Sequence, residues 1–190
     1  HTKECVIAMS PNLALKHITF SPSLPSEQLE FYKSISHGQA AKVILVFDTP
    51  FWLEPRSTQG NIKPHFAETG PIQNIFHTQV GKNPGLVCLC VGTPATKLLG
   101  KHVNERKKII LTQLMALYFP EQSETSIAEE FLGMKAYIDK LWAEEEYSGG
   151  CYCGMWSPNG SFYKYGEKFR DDLFHIRSKI FPDRIILLET

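Results

Sequence analysis

The sequence predicts an α/β (α+β) fold, and three observations carry that expectation. Short β-branched runs bounded by proline and glycine recur through the first half of the chain, as in Val43–Phe47 and Leu86–Val91. Longer segments with helical apolar spacing follow them, above all "NERKKIILTQLMALYF". Hydrophobic residues make up 43% of the 190-residue chain, which is enough to bury a core.

In chain order, "ECVIAMSP" reads as a short buried strand ended by Ser-Pro. "ITFSPSLP" reads as a second extended piece with proline stops. "AAKVILVFDTPFW" is the clearest strand, closed by Thr-Pro. Residues 54–70 are polar, with Pro and Gly, and read as a loop or hairpin. "GPIQNIFHTQ" and "PGLVCLCVG" give two further strands. "TPATKLLGK" starts a short helix, with Thr93 as N-cap and Pro94 at the first helical position. The next helix places Ile110, Leu114 and Leu117 on one face and stops at Pro120. "SIAEEFLG" carries a capping box, Ser126 with Glu129, and Gly133 after its end. "AYIDKLW" alternates as a strand. A stretch rich in glycine and aromatics comes next, and the charged segment "YGEKFRDDLFHIRSK" follows it.

Composition excludes several classes. Lys plus Arg equals Asp plus Glu at 20 each, and no basic stripe points to nucleic acid. The apolar runs are too short to span a membrane, and no signal peptide is visible. Cys5, Cys88, Cys90, Cys151 and Cys153 make an odd count, against a closed disulfide framework and for a reducing compartment. Cys88 and Cys90 stand in an apolar run and read as small core residues. The C-x-C spacing is narrower than structural zinc sites use, so no metal is expected. His102 and His175 stand in charged segments, and no catalytic triad is evident.

The chemistry concentrates in "LWAEEEYSGGCYCGMWSPNG", residues 141–160. Gly149 and Gly150 remove two side chains just before Cys151. Such a pair lets backbone approach a flat object, or supplies dihedrals that other residues resist. Cys151 is then presented at a kink, with Tyr152 and Trp156 nearby. A thiol so placed suits a covalent tether to a planar cofactor, although on spacing alone the plainer reading is a glycine turn with a buried structural Cys.

"WAEEEYSGGCY" closely resembles the flavin-dependent monoamine oxidase family, and the likeness runs in order along most of the chain. "CVIAMSPNLALKHITFSPSLP", "HGQAAKVILVFDTPFW", "LTQLMALYF" and "SPNGSFYKYG" each resemble a family segment. The resemblance implies FAD joined covalently to Cys151, and Tyr152 as one wall of an aromatic cage for the amine. It implies that Lys42 holds a water beside the flavin, and that Trp142, Tyr147 and Gly150 lie against the cofactor. On residues alone Lys42 is a strand lysine and Trp142 a core aromatic. Leu89 and Pro71–Asn74 fall where the family lines its substrate cavity. The reaction implied takes a small-molecule amine and O2 to an aldehyde, ammonia and hydrogen peroxide. The resemblance further implies a membrane-anchored homodimer at the mitochondrial outer membrane.

Departures accompany it. The strand–GxGxxG–helix that cradles the FAD pyrophosphate is missing. "RIILLET" keeps only the Glu-Thr of the family's Phe-Ala-Gly-Thr-Glu-Thr segment, and residues 174–182 look inserted. The second cage tyrosine and the anchor would lie beyond Thr190. Expected, therefore, is a partial chain: the end of an FAD-domain segment at 1–32, a mixed-sheet substrate domain at 33–142, and a truncated return to the FAD domain at 143–190. The rival is a catalytically inactive truncated copy acting as an interaction module through an exposed apolar face.

Overall fold

A computed structural model describes residues 5–53, 70–119, 133–151, 154–156 and 185–187. The expected loop at 54–69, the capping box of Ser126 and most of the segment after Cys151 lie outside these residues. The α/β class holds, with helices beside several short sheets. The chain divides into two compact units, residues 1–38 with 146–190, and residues 39–145.

The first unit holds β1 (Cys5–Ile7), α1 (Pro11–His17), α2 (Ser26–Ser34) and β2 (Ile35–His37). It is completed by β7 (Gly154–Trp156), which pairs antiparallel with β2, and β8 (Ile185–Leu187), which pairs parallel with β1. Ser10-Pro11 starts a helix here rather than merely ending a strand. Proline at the first helical position loses nothing, because that N–H has no partner in the helix anyway. "ITFSPSLP" contributes no strand; residues 18–25 form the connection to α2. The α2 pattern buries Phe31 and Tyr32, which join Ile35 in a small core with Leu15 and Leu24 packed on it. Gln28 donates to the Tyr32 hydroxyl at 2.6 Å one helical turn away, so both buried polar groups are satisfied.

The second unit is built on β3 (Ala40–Phe47), β4 (Asn74–Val80), β5 (Asn83–Val91) and β6 (Met134–Leu141), in the order β4-β5-β3-β6. All three pairings are antiparallel, so the mixed sheet expected for this region is antiparallel among the described strands. The parallel pairing belongs to β1 and β8. A two-residue turn, Gly81-Lys82, joins β4 to β5, and Gly81 has the positive φ of 63° that such turns require.

Alternation sorts the sheet. Ala41, Val43, Leu45 and Phe47 of β3 and Leu86, Cys88 and Cys90 of β5 face the core with Ile110, Leu114 and Met115 of α4 (Val103–Tyr118). Cys88 and Cys90 are thus core residues, and burial pushes the Cys90 thiol up to about 12 and raises Cys88 as well. The short helix α3 (Thr93–Thr96) is capped by Gly92 at φ 64°, not by Thr93, which is its first residue. Trp52, fully buried in the turn after β3, donates from Nε1 to His77 Nδ1 at 3.0 Å.

Two polar ties run from α4 to the outer strands. Arg106 donates from Nε to Asp139 of β6 at 2.6 Å and from Nη2 at 3.0 Å. Gln113 accepts from the Ile72 backbone N–H at 2.7 Å and donates to the Ile72 carbonyl at 2.9 Å, just before β4.

Candidate functional site

The sequence-derived residues fall into both units, and each group is described within its own.

In the second unit the sheet face opposite α4 carries Lys42. Register sets Asn74, Leu89, Lys42 and Lys140 in one cross-strand row. The next row is Phe76, Val87, Ile44 and Ile138. Lys42 is exposed and makes no ion pair among the described residues. Its cross-strand neighbour Lys140 is turned to Glu145 at 2.5 Å, which relieves the repulsion of two directly opposed cations. Trp142 opens a 3-10 turn one residue past the Ala41–Leu141 pair and is half-buried. Lys42 and Trp142 therefore stand on either side of that pair, two register positions apart. Leu89 shares the Lys42 row, whereas Pro71 and Ile72 are buried. Phe76 and Ile138 remain 43% and 52% exposed, giving this face an apolar centre with the lysines at one end.

In the first unit the chain turns at Gly149-Gly150 and delivers Cys151. Both glycines have positive φ, 63° and 149°. A Cβ at Gly150 would lie 2.3 Å from His37 Cβ and 2.6 Å from the Gly38 carbonyl oxygen. One at Gly149 would lie 3.1 Å from Leu13 Cδ2. The close approach that the pair permits is thus to the chain's own His37-Gly38 backbone. The Cys151 N–H donates to the Gly38 carbonyl at 2.9 Å and locks the corner. Behind it, Asn12 donates from Nδ2 to the Ile35 carbonyl at 3.0 Å and lies 3.2 Å from His37 Nδ1. Cys151 is a free, half-buried thiol. Tyr147 is 68% exposed, its ring centroid 5.1 Å from that of His17. Tyr152 lies outside the described residues.

Glycine spacing announces the kink but not its partner. His37, Gly38 and Asn12 are distant in sequence, and nothing local marks them. Gln113 did leave a trace: it interrupts the apolar stripe of Ile110, Leu114 and Leu117.

Residues 1–166 match the family model described as flavin containing amine oxidoreductase. The chain belongs to that family. It is 30% identical over 171 residues to a probable flavin-containing monoamine oxidase A of Dictyostelium discoideum, spanning 89% of this chain and 34% of the relative. To a putrescine oxidase of Kocuria rosea it is 28% identical, over 92% of this chain and 34% of the relative. Among solved structures, a putrescine oxidase variant from a redesign of cofactor binding superposes with a TM-score of 0.72 at 26% identity, covering 97% of this chain and 36% of that one. The chain spans about a third of the length of these relatives.

Membership implies a flavin cofactor, and the groups present fit one. A free thiol stands half-buried at a locked backbone corner, where it is both held and reachable. Among the described residues no three His, Cys, Asp or Glu side chains gather as metal ligands. No helix among them is long and apolar enough to cross a membrane.

Proposed function

We propose that the full-length protein is an FAD-dependent oxidase of primary or secondary amines, giving an aldehyde, ammonia and hydrogen peroxide, with O2 as the second substrate. The observation that carries this reading is the Gly149-Gly150 corner presenting Cys151, in a chain that matches the family over residues 1–166. In this reading residues 1–32 and 143–190 belong to the FAD-binding domain and 33–142 to the substrate domain. Cys151 is the covalent attachment point. Gly150 and Tyr147 flank it, and Trp142 packs towards the cofactor. When bound, the flavin supplies the two-electron acceptor that amine oxidation needs.

The chain's own residues have simpler tasks. The Gly38 carbonyl fixes the Cys151 backbone, so the thiol is held before the tether forms. Tyr152 offers an aromatic wall that attracts and orients the amine through its π-face. Lys42 stands exposed at the polar end of an otherwise apolar sheet face, suited to holding a water where oxygen reacts. Asn74 and Leu89, in the same row, line the amine's cavity. Anchoring as a homodimer at the mitochondrial outer membrane belongs to the same reading, through its monoamine oxidase relatives.

A second reading has one observation in its favour. The exposed Phe76 and Ile138 would suit a non-catalytic copy that associates through its sheet face. Acid denaturation of the purified full-length protein separates the two. Flavin absorbance that stays with the washed polypeptide and disappears in Cys151→Ala is expected for the oxidase. A colourless polypeptide from the unaltered protein would overturn the covalent tether, and absence of amine-dependent peroxide would overturn the oxidase.

A further inference from the structure

Gln113 sits in the middle of α4 on the stripe that enters the core, and it is only 1% exposed. Its side-chain amide reproduces a strand's hydrogen bonding: Oε1 accepts from the Ile72 N–H at 2.7 Å and Nε2 donates to the Ile72 carbonyl at 2.9 Å. No strand in the described sheet serves Ile72, which precedes β4. The next residue, Gln73, already donates its N–H to the Leu89 carbonyl at 2.9 Å. Directly after it the ladder begins, with Asn74 opposite Leu89 and Leu89 opposite Lys42.

Gly70 completes the arrangement. It has φ 144°, and a Cβ there would lie 2.6 Å from Gln113 Oε1. The chain at residues 70–73 is therefore shaped around the Gln113 amide. Because side chains alternate, a slip of one residue at this point would put Gln73 in the Lys42 row and turn Asn74 into the core.

We propose that Gln113 is a positioning residue for amine recognition: it fixes the register at which β4 begins, and so places Asn74 in the cavity row shared by Leu89 and Lys42. This rests on the amine-oxidase reading, in which that row lines the substrate cavity. Gln113 itself touches neither substrate nor flavin. Its influence falls on how well the amine is bound rather than on the chemical step.

The test uses the full-length flavin-loaded protein, with Gln113→Met, which keeps the volume and removes both polar atoms, and Gln113→Asn, which keeps the amide but falls one methylene short. Putrescine and benzylamine serve as probes, with KM and kcat measured for each. Amide hydrogen exchange is followed for residues 70–76 and, as an internal reference, for β3. Expected are faster exchange at 72–74 with β3 unchanged, a KM raised roughly tenfold, and kcat within about twofold of the parent. Should Gln113→Met not fold, Gln113→Asn carries the same comparison.

Faster exchange at 72–74 with KM unmoved would overturn the proposal, leaving Gln113 as scaffold only. Unchanged exchange would overturn it too, since the clamp would not be holding the segment. If the unaltered protein turns over neither amine, the oxidase reading falls and this inference with it. Turnover by the unaltered protein with an unmoved KM in the variants sinks the inference alone.

Discussion

Replacing Gly150 with alanine should be among the most damaging single-methyl additions in the first unit. The added Cβ would lie 2.3 Å from His37 Cβ and 2.6 Å from the Gly38 carbonyl oxygen, both far inside van der Waals contact. Neither neighbour is the loose end of a flexible side chain, so backbone must move. Overpacking of this kind costs about 1–3 kcal/mol. The backbone at φ 149° adds strain that only glycine avoids, again about 1–3 kcal/mol. The sum is about 4 kcal/mol at the centre of that range, which lowers Tm by about 8–16 °C for a chain of this size. Gly149→Ala is the control. It meets similar strain at φ 63°, but its nearest neighbour is the mobile Leu13 Cδ2 at 3.1 Å, so about 1–2 kcal/mol is expected. Paired thermal and urea denaturation of the two variants reads the difference. Displacing residue 150 also pulls Cys151 N–H from the Gly38 carbonyl, so covalent flavin should fall in Gly150→Ala more than in Gly149→Ala. Equal stability losses in the two variants would refute the collision argument and leave dihedral strain as the only role of the pair.

Other outcomes follow from the second unit and its thiols. Asp139→Ala takes the carboxylate from the Arg106 guanidinium, 15% exposed, and leaves it the Lys101 carbonyl, an uncompensated cation that should cost about 3 kcal/mol in urea denaturation. The joint replacement Arg106→Met with Asp139→Leu should lose less than either single change, and a larger loss would contradict the pairing argument. In flavin-free native protein, iodoacetamide followed by peptide mapping should label Cys151 while Cys88 and Cys90 stay protected until unfolding. Below pH 9.0 the buried thiols are protonated in both folded and unfolded chains; above it only the unfolded chain ionises them readily. Their contribution should therefore fall as pH rises from 9.0 towards about 12, and Cys88→Ala with Cys90→Ala should flatten that decline.

How much of this was legible in the sequence depended on the range of the signal. β3 and β5 were plain because β-branched runs bounded by turn residues need only local reading. α1 is ambiguous in the sequence because Ser10-Pro11 can end a strand and can equally start a helix. α2 has only a short signal, the spacing of Gln28, Phe31, Tyr32 and Ile35 along one helical face. The α3 cap stands one residue before Thr93 because the chain enters the helix through φ 64°, a dihedral that glycine adopts without strain. The Gly149-Gly150 kink was readable; that it folds against His37-Gly38 was not, because no local rule links residues so far apart. Lys42 could be placed on a strand, but which face it occupied depended on where the sheet's neighbours register.

That register is what the two polar ties of α4 secure. In the order β4-β5-β3-β6 the inner strands β5 and β3 are held by ladders on both sides, while β4 and β6 have one ladder each among the described residues. Those are the two strands most free to slip, and a slip of one residue exchanges the faces of every side chain. Arg106 grips Asp139 in β6 and Gln113 grips Ile72 ahead of β4, one tie at each outer strand. Apolar packing alone would tolerate a displaced register more readily, since neighbouring aliphatic side chains are nearly interchangeable in contact energy. A bidentate guanidinium and a paired amide are not interchangeable with anything one residue away. Replacing both with apolar residues should therefore leave a stable sheet whose outer strands sample more than one register. The signature would be doubled resonances for Asn74 and Ile138 in NMR spectra, with those of Val43 and Leu86 single. Single resonances throughout would mean that packing alone holds the outer strands, and that the polar ties only satisfy their own hydrogen bonds.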